Sequence, residues 1–189
     1  MQHTIFVIVL AAALSLGVFA VAVQRGAMLV YIDRMTAIMS LIWGAVSLGM
    51  VCAGYGIGKW ILGFDLGARD VYWIHVVCGV FLAIAGIRMF YRALRKKTFI
   101  ERRMEKVDVK HDSLLCLQIT ASTFIAGIAC GLLEAGIVRV ILAFFFISTG
   151  FAVFGYMNGR SNGPVWSDKA YLLGGAILCA AGIMLQIMK

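Results

Sequence analysis

The chain has 189 residues, of which 62% are hydrophobic and only 14% charged, whereas soluble domains run near half apolar and a quarter charged. A soluble core of this length cannot hide so much apolar surface, which leaves an all-α integral membrane protein. The net charge is +8, and nine of the 17 Lys and Arg lie between Arg88 and Lys110. That clustering suits a loop beside anionic lipid, so no nucleic-acid partner is expected.

Apolar runs long enough to cross a bilayer occur at 4–24, 36–60, 70–92, 114–134, 138–158 and 169–188. Each is expected to be helical, because backbone groups facing lipid are satisfied only within the segment. The first run, which carries "LSLGVFAVAV" at 14–23, has His3 but no Lys or Arg ahead of it. A signal peptide normally has that positive charge, so the run is read as a retained first span. Between the third and fourth runs lies "RALRKKTFIERRMEKVDVKHD" at 92–112, whose charge assigns it to the cytoplasm. The connections 25–35 and 159–168 then lie inside and both termini outside, with 13 Lys and Arg inside against 4 outside.

Charges near the span ends have local readings. Arg88 is about one turn from the inner end of the third span and can snorkel. Lys59 and Arg69 flank the outer connection between spans two and three, while Glu134 and Arg139 flank a short turn where local pairing is expected. Cys52, Cys78, Cys116, Cys130 and Cys179 all sit in apolar runs without a CxxC pair, as small buried hydrophobes do. Met50, Cys52, Cys116 and Cys130 show no spacing that defines a soft-metal site, and His75 and His111 are isolated. No cofactor motif, zinc spacing, HExxH, GxSxG or phosphate loop appears, so no enzymatic activity is expected.

The two halves resemble each other. "GYGIGK" at 54–59 matches "GYMNGR" at 155–160, and "GVFLAIAGI" at 79–87 matches "GAILCAAGI" at 175–183. Phe19 and Gly26 correspond to Phe124 and Gly131, so the offsets are 101, 96 and 105 residues. The expected organisation is a three-helix repeat over 1–92, a basic cytoplasmic loop over 93–112 and a second three-helix repeat over 113–189. An odd number of spans per copy inverts the second copy, giving two inverted three-helix repeats, an architecture used by transporters. Gly54/Gly58, Gly127/Gly131 and Gly155/Gly159 form GxxxG patterns, which have a packing role of their own.

With these features in place, the chain resembles the small bacterial manganese efflux pumps, the MntP-type family within the LysE-like transporters. "WGAVSLGMVCAGYGIG" at 43–58 is similar to the family's second helix and "AGIRMF" at 85–90 to its third. "GYMNGR" at 155–160 and "KAYLLGGAILCAAGIMLQI" at 169–187 resemble the fifth and sixth, and "LSLGVFAVAVQRGA" at 14–27 and "ITASTFIAGIACGL" at 119–132 the first and fourth. The resemblance implies a multi-pass protein of the bacterial plasma (inner) membrane that exports a small cation by alternating access. Its partners would be the lipid bilayer and a small cation or polar solute.

The resemblance also implies acidic residues where this chain has none. The family's first-helix Asp falls at Gly17, its second-helix Glu at Ser47 and its fourth-helix Asp at Ser122. Residues 34–64 and 113–133 contain no Asp or Glu at all. Mn²⁺ favours hard oxygen ligands and compensating negative charge, so the substrate and transport activity stand against that loss. Gly17 and Ser122, like Ser15 and Thr120, are related by the 105 offset, and with Ser47 they fall near the midpoints of their spans. Gln118 lies one turn before Ser122 on the same face. The expected substrate path is therefore Gly17, Ser47, Gln118, Thr120 and Ser122, with the ordinary duty of membrane Ser and Thr, bonding back to the helix or gluing neighbours, as the competing role. A transport-inactive structural or regulatory protein of the same fold is the alternative function.

Overall fold

A computed structural model of the chain describes residues 2–28, 34–63, 68–94, 109–133, 136–163 and 165–187. All described secondary structure is helical: α1 Gln2–Met28, α2 Arg34–Leu62, α3 Ala68–Leu94, α4 Val109–Leu132, α5 Ile137–Asn162 and α6 Val165–Ile187. Among the described residues, four stretches are long and apolar enough to cross a membrane: Thr4–Met28, Thr36–Leu62, Val76–Leu94 and Ile137–Asn162. The bundle is apolar outside as well as inside, with Ile87, Phe146, Phe154 and Leu173 exposed. Such an exterior suits lipid as solvent, since large apolar patches are rare on soluble monomers.

The helices reach further than the apolar runs, entering the connections expected at 25–35 and 159–168 and both ends of the 93–112 segment. Hydropathy marks where the apolar solvent ends, but a helix continues as long as its internal hydrogen bonds cost nothing extra in the polar interface. α5 stops at Gly163, whose φ of 67° lies in the left-handed region that a side chain would strain. Pro164 follows in the sequence and cannot carry a helical hydrogen bond onward. The remainder of the basic loop, with Glu134 and residues 29–33, lies outside the described residues.

The most extensive contacts are α1 with α5, α2 with α4, and α3 with α6, followed by α1 with α6 and α2 with α5. α1 and α5 run parallel. A Cβ added at Gly155 would lie 2.9 Å from the Phe19 carbonyl, and one at Gly159 would lie 2.9 Å from Val23 Cα. Phe19 also packs edge-on against Phe151 and stacks on Phe154. α2 and α4 are parallel too, with Gly54 against Phe124 and Gly127, and Gly58 against Ile128 and Gly131. α3 and α6 cross antiparallel, Gly86 meeting Gly175 and Cys179, and Gly182 meeting Gly79 and Ala83. Small residues let these backbones touch, the main source of attraction where lipid removes the hydrophobic drive between helices.

One end of the bundle gathers the C-termini of α1, α3 and α5 with the N-termini of α2, α4 and α6. There the Gln24 side-chain amide donates to Ser167 Oγ at 2.6 Å, and Arg92 hydrogen-bonds Tyr171. The other end holds the start of α1 and the turn before α5, where an Arg139 guanidinium nitrogen donates to Thr4 Oγ1 at 3.0 Å. That contact gives Arg139 a partner besides its expected one, Glu134, which lies outside the described residues.

Candidate substrate path

Ser47 sits at the middle of α2 and is 1% exposed. Its hydroxyl lies 3.1 Å from that of Ser148 on α5, and either group can donate. Ser148 was not among the residues expected from the sequence, yet it stands 101 positions after Ser47, the offset that relates α2 to α5. Applying that offset to Ser47 would have found it. Two further polar atoms are buried at this crossing: Trp43 Nε1 and Thr149 Oγ1 have no hydrogen-bond partner among the described residues. Trp43 is one turn from Ser47, and Thr149 presses its hydroxyl toward Gly44 of α2. Buried polar groups are normally paired, so unpaired ones at mid-membrane depth mark a place where a polar species can be stabilised.

Ser122 lies elsewhere. It lines a cavity of about 230 Å³ between α3 and α4, with Phe81, Ile84, Arg88, Arg92, Ile125 and Tyr171 among its other walls. Neither Gly17, Ser47 nor Thr120 is part of that lining. Gly17 is buried in α1. Thr120 is fully buried, and its carbonyl accepts a hydrogen bond from the Thr123 hydroxyl one turn on, the back-bonding role of a membrane threonine. Ser40 does the same to the Thr36 carbonyl at 3.0 Å. Ser15 is buried in α1. The side chain of Gln118, like those of Cys116, His75 and His111, lies outside the described residues.

The expected path residues thus divide: Ser47 belongs to a polar centre between α2 and α5, and Ser122 to a side cavity between α3 and α4. Among the described residues, no group of three His, Cys, Asp or Glu converges, so the hydroxyls and backbone carbonyls are the oxygen donors at hand. Cys52, Cys78, Cys130 and Cys179 are free thiols, and Cys179 makes a weak contact with the Ala83 carbonyl at 3.7 Å.

A family model described as "Putative manganese efflux pump" matches residues 34–186. A Proteus mirabilis protein named putative manganese efflux pump MntP is 31% identical over 179 residues, covering 93% of this chain and 89% of that one. A Photorhabdus laumondii protein of the same name is 32% identical with the same coverage. An Escherichia fergusonii protein named probable manganese efflux pump MntP is 28% identical, covering 94% of this chain and 93% of that one. No solved structure is a significant match.

Proposed function

The chain belongs to the manganese efflux pump family, and on that premise we propose that it exports a small divalent cation, manganese first, by alternating access. In this reading all six helices span the plasma membrane, the basic loop is cytoplasmic and both termini are outside. The helices form two inverted halves that exchange roles as the path opens to either side.

One observation carries the exchange of halves: contacts between helices recur at the offsets that relate the two halves in sequence. Gly54 meets Phe124, and 101 and 105 residues away Gly155 meets Phe19. Gly58 meets Ile128 as Gly159 meets Val23, and Gly131 meets Tyr55 as Gly26 meets Tyr156. Gly86 meets Cys179 as Gly182 meets Ala83, at the 96 offset. Ser47 bonds to its own counterpart, Ser148, and in this reading the relating axis passes between the two hydroxyls. Residues on such an axis belong equally to both halves, and inverted-repeat transporters place their substrate near it, at the bilayer midplane.

The sequence lacks the acidic groups that family resemblance places at Gly17, Ser47 and Ser122. A cation crossing here is stabilised instead by neutral oxygens, which favours weak, fast binding over a held ion. Expression in a manganese-sensitive strain lacking its exporter tests the proposal. Restored growth and lower cell manganese are expected; no rescue at confirmed membrane levels would favour the transport-inactive alternative. Gly17→Asp and Ser47→Glu together are expected to tighten manganese binding by at least tenfold in a direct binding titration, on the order of 1.4 kcal/mol.

A further inference from the structure

We propose that the cavity between α3 and α4 is a binding site for one anionic phospholipid, its phosphate held by Arg88 and Arg92 and the start of its acyl chains lying over Phe81 and Ile84.

The cavity is polarised along α3. Arg88 and Arg92 are one turn apart on one face, so they point the same way, about 6 Å apart along the axis. Below them Ile84 and Phe81 continue the stripe toward mid-membrane, with Ile125 opposite. Ser122 adds a hydroxyl, and Tyr171 adds a second that already accepts from Arg92. No carboxylate is among the described lining residues. Among the described residues, the acidic group that acts on Tyr171 electrostatically is Asp168. Two cations and two hydroxyls above an apolar wall complement a phosphodiester above its acyl chains, and guanidinium is the side chain best matched to phosphate oxygens.

The mouth opens sideways. Phe81 is 49% and Ile84 53% exposed, and Arg88 and Ala121 are exposed as well. In a bilayer those surfaces face lipid, so a phospholipid enters without leaving the membrane. Arg88 lies about 9 Å inside the end of α3, at the depth of a headgroup. The charge that orients the loop beyond α3 toward the cytoplasm also selects the leaflet that carries anionic lipid.

The site has no counterpart at the offsets that relate the two halves. The positions 96 residues after Arg88 and Arg92 are Met184 and Met188. The counterpart crossing of α1 with α6 is closed, a Cβ at Gly174 lying 3.0 Å from Leu16 Cβ and 3.1 Å from the Ala13 carbonyl. The arginine pair therefore has no equivalent at the 96 offset, and its cavity has no open twin at the counterpart crossing. The site stands whether or not the chain transports manganese.

Native mass spectrometry of the full chain, released from bilayers of phosphatidylglycerol and phosphatidylcholine, tests this. One phosphatidylglycerol is expected to persist after the other lipids are stripped. Preference over phosphatidylcholine is expected to fall about fivefold in Arg88→Gln and about thirtyfold in Arg88→Gln/Arg92→Gln, and to survive in Arg88→Lys/Arg92→Lys. Arg160→Gln/Lys169→Gln removes equal charge from the same end of the bundle outside the cavity and is expected to leave the retained lipid within about twofold. An equal loss in that control, equal retention of both lipids, or a preference unchanged in Arg88→Gln would overturn the site. Displacement of the lipid by excess inorganic phosphate would make it a free-phosphate site and overturn the lipid assignment. Arg88 is exposed, so its single variant reads the outcome even if the double variant misfolds.

Discussion

The two parallel crossings, α1 with α5 and α2 with α4, differ sharply from the α3/α4 contact. In the first two, glycines bring backbone onto backbone along Gly155–Gly159 and Gly54–Gly58, with the Ala22 methyl and the Phe19 ring also reaching Gly155. Between α3 and α4 there is a cavity walled by long side chains, two of them charged. Backbone contact has no rotamers to adjust, so the glycine crossings hold their pairs of helices as units. The α3/α4 cavity lies where two of these pairs meet, and the Ser47–Ser148 hydroxyls lie at another such meeting.

The comparison breaks most visibly at a glycine that meets backbone. Gly159→Leu puts a side chain into Val23, whose main chain cannot give way. A loss of at least about 3 kcal/mol is expected, read as a collapsed thermal transition and poor monodispersity in detergent. A middle effect belongs to the α2/α5 centre. Ser47→Ala and Ser148→Ala are each expected to cost about 1 kcal/mol, with the double variant costing about 1.4 kcal/mol, less than their sum. The coupling in that cycle should be about 0.6 kcal/mol, and full additivity would show that the hydroxyls do not depend on each other. The smallest effect, of opposite sign, comes from glycines that touch nothing. A Cβ at Gly56 or Gly150 meets no atom within 4 Å. Gly56→Ala and Gly150→Ala should raise the melting transition slightly, by under about 1 kcal/mol of stability, because alanine is the better helix former. A clear destabilisation there would show that these faces are covered in the membrane.

Much of the fold was legible because its signals are one-dimensional. Apolar length gave the helices, and the three matches between the halves gave the offsets that the glycine contacts follow. Helix ends were not legible, since hydropathy reports the solvent and not the hydrogen bonding that carries α3 to Leu94. Ser148 was overlooked for a different reason. Attention to positions where relatives carry acids selected Ser47 and passed over its counterpart, which is conspicuous only once two helices are known to face each other. Arg88 reads equally well as a snorkelling side chain or a cavity wall, because span depth is in the sequence and the neighbouring helix is not. For Gly17 and Thr120 the fold supplies burial, and neither lines the α3/α4 cavity.

The hydroxyl pair at the α2/α5 crossing has a mechanical consequence. Each serine can turn its hydrogen about the C–O bond, and each can serve as donor or acceptor. The bond therefore follows a rotation of one helix against the other that would break a contact of fixed direction. If the halves rock, this point behaves as a bearing: it stays lubricated by an exchange of proton direction while the surfaces around it slide.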